Sequence, residues 1–227
     1  MKLDWSKVNN AERFLAAMQL IHDCQKCGNC CVNMGGIAFN SSDTIRMATQ
    51  LGISKNDFIK AYTRASKNKA SDRWLNVTEK EACIFWSKDG CTQYQGRGQV
   101  CRLYPFTSPE LLDMVRKHRP WGIYDRCPGM KVTYKKVLEE SLTFSVAGAK
   151  AIVESDLGKI CVLNTVRAIY QESAAKSVAE ELGLEDVPSL DRLRLIAKSY
   201  ALAYVTMNIP REIRLQIIAE LEGKEST

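Results

Sequence analysis

Four cysteines fall within eight residues, Cys24-x-x-Cys27-x-x-Cys30-Cys31. A thiolate can hold a metal ion or exchange electrons, and both tasks need several sulfurs converging on one point. A Cys-x-x-Cys turn achieves this by placing two sulfurs on one side of a tight loop with backbone amides directed at them. Gly28, directly after Cys27, helps the chain bend there. Four further cysteines follow: Cys83, Cys91, Cys101 and Cys127. Together the eight suit two tetrahedral thiolate sites, or one cluster with a second mononuclear metal. The ninth cysteine, Cys161, has apolar helical neighbours and reads as a core residue.

The three-residue repeat of Cys24, Cys27 and Cys30 is similar to the cysteine run of cluster-binding ferredoxins. Two features depart from that run. Cys31 directly follows Cys30, and no Cys-Pro occurs at the ferredoxin distance. Adjacent residues project differently, so Cys30 and Cys31 could serve different centres. His22 lies beside the run, and zinc accepts histidine; with eight cysteines present it reads as a helix-end residue. His118, in Arg116-Lys117-His118-Arg119, belongs to a charged, solvated stretch. Arg102 follows Cys101 and could steady thiolates or form an ion pair.

Other chemistry finds no support. There is no Gly-x-Gly-x-x-Gly after a strand, no phosphate-binding loop and no His-Glu-x-x-His helix. No catalytic residue is assigned. The formal charge of +6 counts every cysteine as neutral; bound thiolates would offset much of it, so no nucleic-acid partner is expected. The N-terminal stretch lacks an apolar run of signal-peptide length, and no segment has the length of a membrane span. A reducing cytoplasm is therefore expected, where cysteines are metal ligands or redox groups before they are disulfides.

Apolar spacing sets the elements that must carry these residues. Residues 6 to 22 read as a helix with Phe14, Met18 and Ile21 on one stripe. Gly35-Gly36 breaks the pattern, and Ile37-Ala38-Phe39 reads as a short strand. Ser42 is the expected cap of a helix carrying Ile45, Ala48 and Leu51 and ending at Gly52. Ser54 with Asp57 marks the next helix, with Phe58 and Tyr62 inward. Residues 66 to 73 read as a loop. Cys83 to Trp86 reads as a buried strand, Asp89-Gly90 as a hairpin turn, and Cys91 to Tyr94 as the returning strand. Leu193, Ile196, Tyr200, Ala203 and Met207 form a helix stripe introduced by Pro188-Ser189. Pro210 is expected in the first turn of a final helix bearing Ile213, Ile217 and Leu221 before Gly223. The expected fold is mainly α with a small β-hairpin. An irregular cysteine-rich module, 1 to 133, packs against a C-terminal helical bundle, 134 to 227.

Cys24-x-x-Cys27-Gly28-x-Cys30-Cys31, Cys83-x-Phe85, Gly90-Cys91, Cys101-Arg102-Leu103-Tyr104-Pro105-Phe106 and Cys127-Pro128-Gly129 resemble the YkgJ-type cysteine-cluster family. That family is described as a zinc- or iron-chelating domain. The resemblance runs from about 20 to 130; Gly98 departs from it, standing where relatives often carry proline. It implies that all eight cysteines are metal ligands. The cofactor expected first is an iron–sulfur cluster of the 4Fe–4S type, with zinc the alternative. Expected roles are redox chemistry, oxygen sensing or association with a partner enzyme. A zinc-stabilised interaction protein is one alternative. Another follows from a relative, flagellin lysine N-methylase: a component of a protein N-methylation system.

Overall fold

The computed structural model describes residues 10–32, 37–65, 73–106, 117, 127–154 and 189–223. In chain order its elements are α1 (Asn10–Ile21), β1 (Ala38–Phe39), α2 (Ser41–Leu51), α3 (Lys55–Tyr62), β2 (Thr63–Ala65), β3 (Arg73–Leu75), β4 (Trp86–Ser87), β5 (Gly90–Cys91), α4 (Gln99–Leu103), α5 (Pro128–Ser141), α6 (Val146–Glu154), α7 (Leu190–Asn208) and α8 (Arg211–Leu221). The chain is mostly helical with small antiparallel strand pairs. No helix among the described residues is long and apolar enough to cross a membrane. Gly35, Gly36, residues 66 to 72, His118, Cys161 and Pro188 lie outside the described residues.

The chain divides into two compact units. The first combines Met1–Cys24 with Pro105–Thr227 and is helical. Its α7 packs against α1, α5 and α6, and α8 packs on α5. Ala197, Ala201 and Ala203 are fully buried on α7 and let neighbouring helices approach closely. The Phe14 ring of α1 stacks on Tyr204 at 4.5 Å and meets Tyr134 edge-on at 6.3 Å. Such aromatic contacts add to area burial. Buried Arg214 donates to the backbone oxygen of Ser141 at 2.6 Å and to its hydroxyl at 2.8 Å. A cation thus closes the C-terminal end of α5, where unsatisfied carbonyls carry partial negative charge.

The second unit, Gln25–Tyr104, holds α2, α3, α4 and all five strands. Strands β1, β3 and β2 form one antiparallel sheet in that order, and β4 with β5 forms a hairpin. Ile37, Phe39, Met47, Ala48, Phe58, Leu75, Cys83 and Phe85 make its hydrophobic core. Asn40, rather than Ser42, caps α2. Its side chain accepts from the Asp43 amide at 2.9 Å, and Asp43 accepts from the Asn40 amide at 3.3 Å. Gly52 ends α2 in the left-handed conformation, and Ser54 caps α3 as its spacing with Asp57 predicts.

Four further details correct the sequence reading. Cys83 to Phe85 is not a strand: Cys83 makes an isolated bridge to Val77, and pairing begins at Trp86. The returning strand is only Gly90–Cys91, followed by turns. Ile45, Met207 and Ile213 are exposed rather than inward. Pro210 is the N-cap of α8, one position before its first turn.

Candidate metal centre

Within residues 25–104 the first cysteine turn is shaped by two left-handed residues, Lys26 at φ +52° and Gly28 at φ +80°. The Gly28 carbonyl then accepts from the amides of Cys31 at 2.7 Å and Val32 at 3.1 Å. A side chain at 28 would collide with the Trp86 indole, so glycine is required twice over. The turn thereby lies against the β4–β5 hairpin. Gly90, at φ +105°, lets the Lys26 stem pass, and the Lys26 ammonium lies 5.5 Å from the Tyr94 ring centre.

One backbone bond links the first cysteine segment to the second. The Cys83 amide donates to the Cys31 carbonyl at 2.7 Å. Cys83 is buried in the hydrophobic core, and Cys31, Cys91 and Cys101 pack against that same core. Cys101 enters on α4, whose start is held by Asp43. This buried carboxylate accepts from the Gln99 amide at 2.8 Å and from Arg46 at 3.1 Å. Gly98 precedes α4 with a backbone at φ −65°, which proline could adopt; any Cβ there would come within 2.5 Å of the Phe39 ring.

The thiols feel one another. Cys30 and Cys31 lie with their sulfurs 3.9 Å apart. Hydrogen bonding from Cys31 brings the Cys30 thiol down to about 7, with its own amide and the Arg97 charge helping and burial opposing. The same bond pushes Cys31 up, as do burial and the charges of Cys30, Cys83 and Cys101. Burial raises Cys83, and Cys91 and Cys30 raise it further. Cys101 is pushed up to about 12 by burial, then by Cys83, Cys30 and Cys91, against the pull of Arg97. Cys30, Cys31, Cys83, Cys91 and Cys101 therefore occupy one electrostatic neighbourhood. Held as bare thiolates, so many like charges would repel; a cation among them removes that cost.

Arg97 is a charged neighbour of the thiols that the sequence reading passed over. Its guanidinium lies 3.4 Å above the Tyr94 ring and donates to the Tyr94 carbonyl at 2.8 Å. Its charge reaches both Cys30 and Cys101. The signal available was its position between Gly96 and Gly98, a flanking that permits close packing. Arg102, singled out from sequence, donates to the backbone carbonyls of Arg97 at 2.9 Å and Gln95 at 2.7 Å, and it also feels Cys101.

The remaining cysteines are placed differently. Cys27 is exposed on the turn. Cys24 and Cys127 belong to the other unit. Cys127 is buried at the N-cap of α5, and its sulfur lies 4.0 Å from His22 Nε2. Among the described residues, no group of three or more His, Cys, Asp or Glu side chains is gathered so that it could hold a metal ion as it stands. In chemistry, though not yet in closure, the donors fit the metals that thiolates bind.

Residues 23–128 match a family model described as "CxxCxxCC: Putative zinc- or iron-chelating domain". This stretch matches the CxxCxxCC domain model. The match covers all eight cysteines of the constellation and agrees with the resemblance carried by their spacing. The match supports metal binding by residues 23–128. No curated protein and no solved structure matches the chain.

Proposed function

We propose that the CxxCxxCC domain of this chain binds an iron–sulfur cluster through its cysteines and serves redox chemistry, oxygen sensing or docking to a partner enzyme in the cytoplasm. The observation that carries this reading is the neighbourhood of Cys30, Cys31, Cys83, Cys91 and Cys101, an all-sulfur donor set packed on an aromatic core. Iron–sulfur clusters are held by thiolates, and their potentials respond to nearby charge and to solvent exclusion. Arg97 supplies the charge. Phe85 and Phe58, with rings 6.5 Å apart in stacked orientation, supply an apolar floor. Cys27, on the first turn of the same unit, is a further donor, and Cys24 and Cys127 are thiolate donors within the helical unit.

A second reading, a closed zinc site, is favoured by one distance. Two sulfurs on a tetrahedral zinc ion lie about 3.8 Å apart, given Zn–S bonds of about 2.3 Å. The Cys30 and Cys31 sulfurs are 3.9 Å apart.

Purification without oxygen, followed by metal and acid-labile sulfide analysis with an absorption spectrum, separates the two. Iron and sulfide in equal amounts with broad visible absorbance support the cluster. Colourless protein containing zinc and no sulfide selects the second reading. Protein that takes up neither metal removes both.

A further inference from the structure

We propose that His22 is a metal donor and that its Nε2, with the thiolate of Cys127 and that of Cys24, forms a mixed nitrogen–sulfur site for a zinc-class divalent ion. The inference rests on the reading that Cys24 and Cys127 are metal thiolates, and adds a donor that the cysteine pattern does not contain. His22 also precedes the stretch matched by the family, which begins at residue 23.

His22 Nε2 and Cys127 Sγ lie 4.0 Å apart although 105 residues separate them in sequence. On a tetrahedral ion, Zn–S of about 2.3 Å and Zn–N of about 2.0–2.1 Å place sulfur and nitrogen about 3.6 Å apart. A movement of a few tenths of an ångström brings the pair to that spacing. The approach is held from both sides. The His22 ring meets Phe106 edge-on, with centroids 5.3 Å apart, which fixes its plane. Cys127 is fixed by its place at the N-cap of α5, with Pro128 opening the helix.

Cys24 is the third donor. It follows His22 by two residues, belongs to the same unit and is half-buried. The three side chains are not gathered around one point, so Cys24 enters only as the proposed third ligand of the loaded site. Three protein donors leave one position of a tetrahedral ion for a further ligand.

The alternative is a plain thiol–imidazole contact at a helix end. It makes different predictions for the full chain titrated with Co(II) or zinc after metal removal under reducing conditions. If His22 is a donor, X-ray absorption of the zinc-loaded wild type contains a nitrogen shell beside sulfur. His22→Ala then loses that shell and about one metal ion per chain. His22→Cys restores the metal with a sulfur-only shell, and its Co(II) d–d bands shift accordingly. Rescue by cysteine is the outcome that a packing role would not give. Full metal uptake with a sulfur-only shell in wild type and unchanged content in His22→Ala would overturn the assignment while leaving the thiolate reading intact. No metal uptake by wild type would overturn both.

Discussion

The indole of Trp86 rests on the backbone of Gly28, where any Cβ would overlap it. The contact joins the first cysteine turn to the β4–β5 hairpin and leaves Trp86 partly exposed. Gly28→Ala therefore meets two penalties, a left-handed φ of +80° and a collision with a ring. Strain of this kind costs about 1–3 kcal/mol. Urea unfolding followed by tryptophan emission should show a lower midpoint and a red-shifted native spectrum. An unchanged midpoint would mean that the turn does not pack on Trp86.

Gly98 offers a parallel case without the φ penalty. Its backbone suits any residue, and the Phe39 ring excludes a side chain. Gly98→Ala should destabilise by about 1–3 kcal/mol through overpacking. Gly98→Ala combined with Phe39→Leu should recover part of that loss, measured as a double-mutant cycle in thermal unfolding.

Asp43 ties α2 to α4, and hence to Cys101, through the Asn40 and Gln99 amides and Arg46. Asp43→Ala strands these donors in a buried setting, at a cost of about 1–3 kcal/mol. Metal content should fall along with stability, because α4 carries Cys101, a proposed thiolate ligand. Retention of full metal content in Asp43→Ala would separate α4 placement from the metal centre.

Metal loading should release protons. Cys31, Cys83 and Cys101 are raised, so all three are protonated near neutral pH in the metal-free protein, while Cys30 titrates near about 7. Metal binds the thiolate forms, so each raised thiol gives up a proton on binding. Apparent affinity must then strengthen as pH rises and weaken as it falls. Weakly buffered zinc titration with an indicator dye measures this directly. Uptake without proton release would contradict the placement of these thiols at the metal.

What could be read from sequence follows how local each cause is. The Ser54 cap and the left-handed Gly52 are written within three or four residues, and both are present. Asn40 displaced Ser42 as the α2 cap because both types can cap, and a long-range bond to Gln99 favours Asn40. Cys83 to Phe85 has strand composition, yet the Cys83 amide is committed to Cys31, a partner 52 residues away that no local pattern reveals. The division of the chain has the same origin. Cys24 and Cys127 join one helical unit while the intervening cysteines form another, through contacts between segments far apart in sequence. The cysteine types and spacing indicated metal chemistry; the positions of Arg97 and His22 relative to the thiols required the fold.

Cys83 and Cys101 are proposed to hold the same metal centre as the Cys30–Cys31 pair. Metal per chain, measured for wild type, Cys30→Ser, Cys83→Ser and Cys101→Ser purified identically without oxygen, tests it most directly. Each variant should lose the same centre, with the same stoichiometric drop and the same spectral change. Full metal content in Cys83→Ser and Cys101→Ser, with loss confined to Cys30→Ser, would contradict it.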